Sequence, residues 1–116
     1  MKEPHYIIIL HADGGVRIQA TDGPDEPTLE QLQTLVDGYI EAVPARHGVM
    51  IVNDEAKLYP LPFNANATAM LRSDIRDIIL GDAVLVMPEG DRLTGFRLHR
   101  ATQIVDSLRE GVSVNG

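Results

Sequence analysis

The chain has 116 residues, of which 10 are Lys or Arg and 17 are Asp or Glu, so its net charge is −7. Cysteine is absent, which excludes disulfides, thiolate catalysis and cysteine-based zinc sites. The basic residues are two lysines and eight scattered arginines, so the sequence lacks the clustered cations that bind phosphate backbones, and we expect no direct nucleic-acid binding.

Length and composition indicate one small domain spanning 1–116, with its ordered core over about 5–110. Hydrophobic residues make up 44% of the chain but aromatic residues only 4%, so aliphatic side chains must fill the core, which favours a sheet covered by helices. The early apolar run YIIIL is shorter than a signal-peptide core, and no stretch reaches the length of a membrane span. We therefore expect a cytoplasmic protein without membrane contact.

The segment HYIIILHADGGVRIQAT predicts a β-hairpin. Residues 6–10 are apolar on both faces and residues 16–20 alternate, which indicates a central first strand and a second strand with one solvated face. Asp13-Gly14-Gly15 can adopt the positive φ angles of a tight turn. A phosphate-binding loop would require a helix to follow, whereas the pattern here continues as a strand.

A helix is predicted after the polar loop 22–27. Thr28 is a suitable N-cap and Gln31 stands at the third helical position, so the two residues predict a reciprocal capping box. Gly38 suits a left-handed C-terminal cap. The apolar stripe of this helix consists of Leu29, Leu32, Leu35 and Val36.

Two further strands are predicted over 39–43 and 48–53, because β-forming residues fill both segments. A polar turn over 54–56 then precedes a short strand that ends at Pro60. Since Pro60 and Pro62 lack backbone N–H groups, this last strand is expected at a sheet edge or outside the sheet.

The remaining sequence predicts a short helix capped by Asn64 or Asn66, a buried strand over 83–87, and a final helix that Gly111 ends. The apolar residues of the final helix are Ala101, Ile104, Val105 and Leu108. Together these elements predict the α+β class. We expect a single domain whose mixed, mostly antiparallel sheet of about five to six strands is covered by two to three helices.

No catalytic, cofactor or metal site is predicted. The four histidines do not have the spacing of a zinc motif, and no serine has the context of a nucleophile elbow. No His–Asp pair can be proposed from spacing alone, and carboxylate pairs such as Asp54-Glu55 are expected to be solvated in turns. The sequence therefore contains no positive indication of catalysis.

The loop 53–68 is the best candidate for a binding surface, because it places several uncharged hydrogen-bonding side chains on a segment that Pro60 and Pro62 make rigid. Asn53, Asn64, Asn66 and Thr68 offer hydrogen-bond donors and acceptors that could converge on a ligand. The alternative is that the same side chains cap a helix and close turns.

Three sequence blocks resemble, in this order, the bacterial and phage family catalogued as domain of unknown function 3846: LQTLVDGYIEAV, IVNDEAKLYPLPFNANAT and DIILGDAVLV. The resemblance covers roughly residues 5–110 and implies a small intracellular protein, often of phages or mobile elements, with no assigned reaction. The family's motif positions in this chain are Asn53, Glu55, Leu61, Pro62, Asn64 and Thr68. Ala56 replaces the motif's turn glycine and Ala65 replaces a commonly basic residue, so an anion held by that residue in relatives would lack its partner here.

Three functional hypotheses follow, with candidate binding residues Asn53, Glu55, Leu61, Asn64, Asn66 and Thr68. The first is a non-enzymatic accessory protein whose loop 53–68 and adjoining edge strand contact a protein partner or a second copy, with a homodimer as the expected self-assembly. The second is a small-molecule binder, for example a protein that sequesters a nucleotide signal. The third is a hydrolase whose His and Asp residues converge only in the fold.

Overall fold

The computed structural model describes residues 4–109, which contain six strands and three helices. In chain order they are β1 (Tyr6–Leu10), β2 (Val16–Ala20), α1 (Leu29–Val36), β3 (Ile40–Pro44), β4 (Val49–Asn53), α2 (Ala65–Ala69), β5 (Ala83–Glu89), β6 (Arg92–Thr94) and α3 (Leu98–Arg109). The predicted α+β class is confirmed. The predicted helix stop at Gly111 lies outside the described residues. None of the helices within residues 4–109 is long and apolar enough to cross a membrane.

The strands form one sheet in the order β2-β1-β5-β4-β3, and β6 pairs with the far end of β5. Each of the strand pairings is antiparallel. β1 lies between β2 and β5, which confirms its predicted interior position. β5 is late in the sequence but central in the sheet, where it joins the β1–β2 hairpin to the β3–β4 hairpin.

The sheet is apolar on both faces because helices pack on both. Ile7 and Ile9 of β1 belong to a cluster with Leu32 and Val36 of α1. The intervening Ile8 and Leu10 point to the other face and belong to the larger cluster that α2 and α3 cover. Since side chains alternate between the faces of a strand, this arrangement explains why β1 is apolar at every position.

The capping box predicted for α1 is half right. The Thr28 hydroxyl accepts from the Gln31 N–H at 3.0 Å, as expected for an N-cap. The Gln31 side chain does not return to the cap residue; its Nε2 donates to the Ala20 carbonyl and its Oε1 accepts from the Asp22 N–H. Because this amide is buried, it serves to fasten α1 to the end of β2.

The end of α1 also differs from the prediction. Asp37, and not Gly38, adopts the left-handed conformation, with φ of 60°. Gly38 is required for a different reason: a Cβ atom there would lie 2.7 Å from Nδ2 of Asn53. The glycine therefore allows the side chain of Asn53 to approach the end of the helix.

Two sequence predictions about strands need correction. Residues 54–60 form consecutive turns, so the short strand predicted before Pro60 is wrong. The N–H groups of Leu58 and Tyr59 bond back to the Glu55 carbonyl, which closes a helix-like turn. The strand β6 was not predicted; it follows β5 through a turn at Gly90, where φ is +63°.

We predict that Gln31→Ala destabilises the protein by about 1–3 kcal/mol, because it leaves buried backbone groups at Ala20 and Asp22 without partners. Gln33→Ala is the matched control, since it removes the same side chain two positions along the same helix without removing these contacts. Urea denaturation should show a change within about 0.5 kcal/mol for the control. Equal losses for the two variants would contradict the fastening role of Gln31.

Candidate functional site

Asn64 is the most enclosed of the predicted binding residues, with 0% of its surface exposed. Its Nδ2 donates to the carbonyls of Leu10 and Gly81 at 2.8 and 2.9 Å, and its Oδ1 accepts from the N–H of Ala67 at 3.0 Å. The amide thus caps α2 and ties it to the end of β1 and to the turn before β5. Asn64 has no surface to offer a ligand, so we assign it to the fold and no longer to binding.

Asn53 is likewise engaged by backbone groups. Its Nδ2 donates to the carbonyls of Val36 and Asp37, both at 3.1 Å, and therefore satisfies carbonyl groups at the end of α1. Its Oδ1 accepts from the N–H of Glu55 at 2.8 Å, which starts the following turn. One side chain thus fixes both the helix end and the path of the loop that leaves β4.

The other predicted residues are dispersed. The Thr68 hydroxyl donates to the Asn64 carbonyl and accepts from the N–H of Ile79, while Asn66 lies near the hairpin turn, with Nδ2 3.4 Å from the Gly14 carbonyl oxygen. Glu55 supplies its carbonyl to the turn, and Leu61 packs where a side chain on residue 81 would otherwise lie. The polar side chains of the loop therefore do not converge on one ligand.

What the loop exposes instead is apolar. Leu58 is 77% exposed and Tyr59 is 62% exposed. Both lie in the turns over residues 54–60, where the sequence predicted a short strand. Three further exposed apolar residues lie on the same loop or on segments that contact it: Tyr39, Phe63 and Ile78. We call these five residues the apolar patch. The carbonyl of Tyr39 accepts from the N–H of Asp54, which joins the start of β3 to the loop.

Two cavities border the loop that carries the patch. The first has a volume of about 90 Å³ and contains Leu58 and Ile78 at its edge, with Val52 and Ile79 among the residues that line it. The second has a volume of about 300 Å³ and lies between the end of α1, Tyr59 and the turn before β5. Their titratable linings are mostly acidic: Asp37, Glu41, Asp54, Asp77 and Asp82, against the single basic residue Lys57.

Asp82, which lines the second cavity, forms a pair with His11 that sequence spacing did not predict. Nδ1 of His11 is 2.9 Å from Oδ2 of Asp82, and Asp82 Oδ1 accepts from the N–H of Ala12 at 2.8 Å. Arg17 donates its Nε–H to Nε2 of His11 at 3.1 Å. This contact makes Nε2 the acceptor, so Nδ1 carries the proton that is donated to Asp82.

Burial raises the pKa of Asp82, but four interactions outweigh that effect and lower the pKa below its ordinary value. They are the hydrogen bond from the Ala12 N–H, the hydrogen bond from His11, and the Coulombic interactions with His11 and with Arg17. Asp82 is therefore an ionised acceptor that orients the imidazole. Within residues 4–109, no group of three His, Asp or Glu side chains is placed to hold a metal ion.

The sequence contained a weak signal for the apolar patch and none for the His–Asp pair. Leu58 and Tyr59 lie just before Pro60, in a segment with neither helical nor strand periodicity. Because no periodic pattern assigns these two apolar residues to a core face, their exposure could have been suspected from the sequence. His11 and Asp82 are separated by 71 positions, so only the pairing of β1 with β5 brings them together.

One comparison with known proteins identifies a family, and its description names no activity. The model of one protein family, described as Domain of unknown function (DUF3846), matches residues 4–108. No curated protein and no solved structure matches the chain.

We predict that Asn64→Ala lowers the free energy of unfolding by about 2–4 kcal/mol, because the helix cap is lost and two buried carbonyls lose their donor. Asn66→Ala removes the same side chain two positions away and should cost less than about 0.5 kcal/mol. Chemical denaturation of both variants measures the difference. Similar stability of the two would show that the buried amide is dispensable.

A second prediction concerns pH. Because the folded-state pKa of Asp82 is lowered, its ionised form stabilises the protein at pH values above the unfolded pKa, near 3.9, and this contribution is lost as pH falls through the folded pKa. Wild type should therefore exceed Asp82→Asn in stability at neutral pH, and the difference should shrink in acid. The control is Asp91→Asn at an exposed turn. A wild-type advantage that is constant with pH would contradict this role.

Proposed function

We propose that this protein is a cytoplasmic protein-interaction module. The chain belongs to the family described as Domain of unknown function (DUF3846), whose description names no activity, so the proposal is drawn from the geometry of the structure. The apolar patch and the adjoining edge strand β3 contact a protein partner. The observation that carries this proposal is the position of the patch. Of the eight large apolar side chains exposed among residues 4–109, five belong to it.

The patch has the composition expected of a binding surface. Tyrosine and other large apolar side chains dominate the energetic centres of protein interfaces, because they bury much area with few rotatable bonds. The cavity between Leu58 and Ile78 is large enough for one aliphatic side chain of a partner. Exposure of these residues costs solvation free energy in the isolated chain, and a partner that covers them would recover it.

The edge of β3 supports the same surface. Within residues 4–109, β3 pairs as a strand only with β4. At the end of its outer edge the Pro44 carbonyl accepts from the N–H of Arg72 and the next residue, Ala45, forms a bridge with Leu71, so the stretch of outer edge without a neighbouring strand is 40–43. Glu41 of β3 also lines the cavity that Leu58 and Ile78 border. An extended segment of a partner could therefore pair with β3 while its side chains contact the patch.

The charge around the patch favours a different protein over a second copy. The residues lining its two cavities include five acidic side chains and one lysine, which is itself paired with Asp77. Two copies placed patch to patch would bring acidic surfaces together, whereas a basic partner would be attracted. The homodimer that the sequence suggested is therefore the less favoured occupant, and we commit to a partner with a basic rim.

A specific observation also supports a second candidate function, acid–base hydrolysis. Asp82 lines a cavity of about 300 Å³ and accepts from Nδ1 of His11, as a carboxylate does for a catalytic imidazole. Arg17 occupies Nε2, the nitrogen that would take a proton from a nucleophile. Because this contact blocks the reacting atom, we place hydrolysis second to protein binding.

We predict that Leu58→Asp abolishes capture of a protein partner from lysate of the cells that naturally contain this protein. The introduced charge would have to be buried without a counter-charge at the centre of the interface. Leu29→Asp is the matched control, since Leu29 is 58% exposed at the start of α1 and is not part of the patch. Immobilised wild type and both variants are compared by mass spectrometry of the retained proteins.

The partner retained by wild type and by Leu29→Asp should be basic and should elute at moderate salt, because the rim contacts are screened. Thermal unfolding of each variant verifies that it is folded. Capture that Leu58→Asp leaves intact would overturn the proposed surface, and dimerisation of wild type that Leu58→Asp abolishes would replace the basic partner by a second copy.

A further inference from the structure

The cavity of about 300 Å³ beside Tyr59 has a fixed shape, because side-chain amides hold two of its walls. One wall is the end of α1, whose last carbonyls accept from the side chain of Asn53. Another is the turn before β5, where the Gly81 carbonyl accepts from Asn64. Leu61 packs closely against this turn, since a Cβ atom on Gly81 would lie 2.8 Å from Leu61 Cδ1. The cavity is therefore preformed, and a group that enters it needs to order little of the chain.

Apolar side chains line much of this cavity. Leu35 and Val36 come from the last turn of α1, and Leu61 and Pro62 come from the loop after Tyr59. Tyr59 itself also lines the cavity. A ligand group that fills this space must therefore have a hydrocarbon part that contacts these side chains.

The charged groups of the cavity are carboxylates. Asp37 and Asp82 line it, and no lysine, arginine or histidine of the described residues 4–109 does so. Asp82 is already balanced in part, because it accepts from His11 and the charge of Arg17 lowers its pKa. An ionised carboxylate has about four acceptor positions, so Asp82 can still accept a further hydrogen bond.

Asp37 is the carboxylate without a counter-charge. Its side chain has no hydrogen-bond or ion-pair partner in the described part of the chain. It stands at the C-cap of α1, and the last turn of that helix contains no basic residue. The C-terminal end of a helix carries a partial negative charge and favours cations, so an acidic side chain at this position is unfavourable until a cation approaches it.

Together these features fit the side chain of an arginine. Its methylene groups would contact the apolar walls while its guanidinium group meets the carboxylate of Asp37. A guanidinium group is planar, stacks on aromatic rings such as that of Tyr59, and is more weakly hydrated than the ammonium group of lysine. The volume of the cavity lies at the lower end of the range for small-ligand sites, which suits one side chain better than a cofactor.

We propose that this cavity receives an arginine side chain of the basic partner, with the guanidinium group between the carboxylate of Asp37 and the ring of Tyr59. The inference rests on the proposed function, because Tyr59 belongs to the apolar patch and a partner that covers the patch also covers the cavity beside it. It adds the chemical group by which the partner is recognised.

The first test is NMR titration of the full chain with N-acetyl-arginine methylamide, which carries the side chain of a protein arginine without free termini. We expect the amide signals of Asp37, Tyr59 and Gly81 to shift at about millimolar probe, as suits a single side chain. N-acetyl-citrulline methylamide has nearly the same shape without the charge and should bind at least about tenfold more weakly. Equal binding of the two probes, or unchanged signals at these residues, would overturn the proposal.

Asp37→Asn should weaken binding of the capped arginine by about tenfold, because it removes the charge. Asparagine tolerates the left-handed conformation of this position, so the helix end is kept. The matched control is Asp106→Asn, which changes the net charge equally on the exposed side of α3 and should bind as wild type does. Tyr59→Phe should bind about threefold more tightly than Tyr59→Leu, because only phenylalanine keeps a ring. An equal loss for Asp37→Asn and Asp106→Asn would contradict the site.

Capture from lysate separates this inference from the proposed function. Asp37→Asn should retain less of the partner than Asp106→Asn does. Full retention by Asp37→Asn would overturn the arginine site and leave the patch in place, whereas a partner that Leu58→Asp retains and Asp37→Asn loses would overturn the patch and keep the arginine site. Free arginine that binds more than about tenfold more tightly than the capped form would assign the cavity to a small molecule and overturn its occupation by a partner.

Discussion

The architecture around the functional loop depends on one buried amide, that of Asn64. It bonds to backbone groups of three separate segments: the end of β1, the turn before β5 and the first turn of α2. Each of these groups is buried, and an unpaired buried backbone group is costly, so the amide fixes their relative positions. The chain between β4 and α2 must therefore bridge two fixed points, and along it Ala56 is buried whereas Leu58 and Tyr59 face outward.

Much of the fold could be predicted from the sequence, because its signals are local. Alternation and apolar runs identified β1, β2, β4 and β5, and the Thr28 cap with its apolar stripe located α1. The failures have a common physical cause. The side chains of Gln31 and Asn53 bond to groups distant in sequence, so their local capping preferences did not describe what they do in the fold. β6 is short, and its pairing depends on β5 rather than on its own residues.

The candidate site was less predictable than the fold for the same reason. The asparagine side chains were predicted to bind a ligand because they offer donors and acceptors. In the fold, the amides of Asn53 and Asn64 instead form hydrogen bonds with backbone groups. Conversely, the arginines that are scattered in the sequence meet where the β3–β4 turn, the end of α2 and the start of α3 converge. The net charge of the chain does not reveal this arrangement. A negative net charge is compatible with a basic cavity at one place on the molecule and an acidic rim at another.

The position of β5 has a consequence for how the molecule is made. The two N-terminal hairpins, β1–β2 and β3–β4, can each form as soon as they leave the ribosome, but they have no direct contact in the sheet until Ala83–Glu89 is inserted between them. Closure of the core is thus a late, long-range event. During synthesis the nascent chain carries two hairpins with open inner edges, and these edges are the places where misassembly with a neighbouring nascent chain would begin.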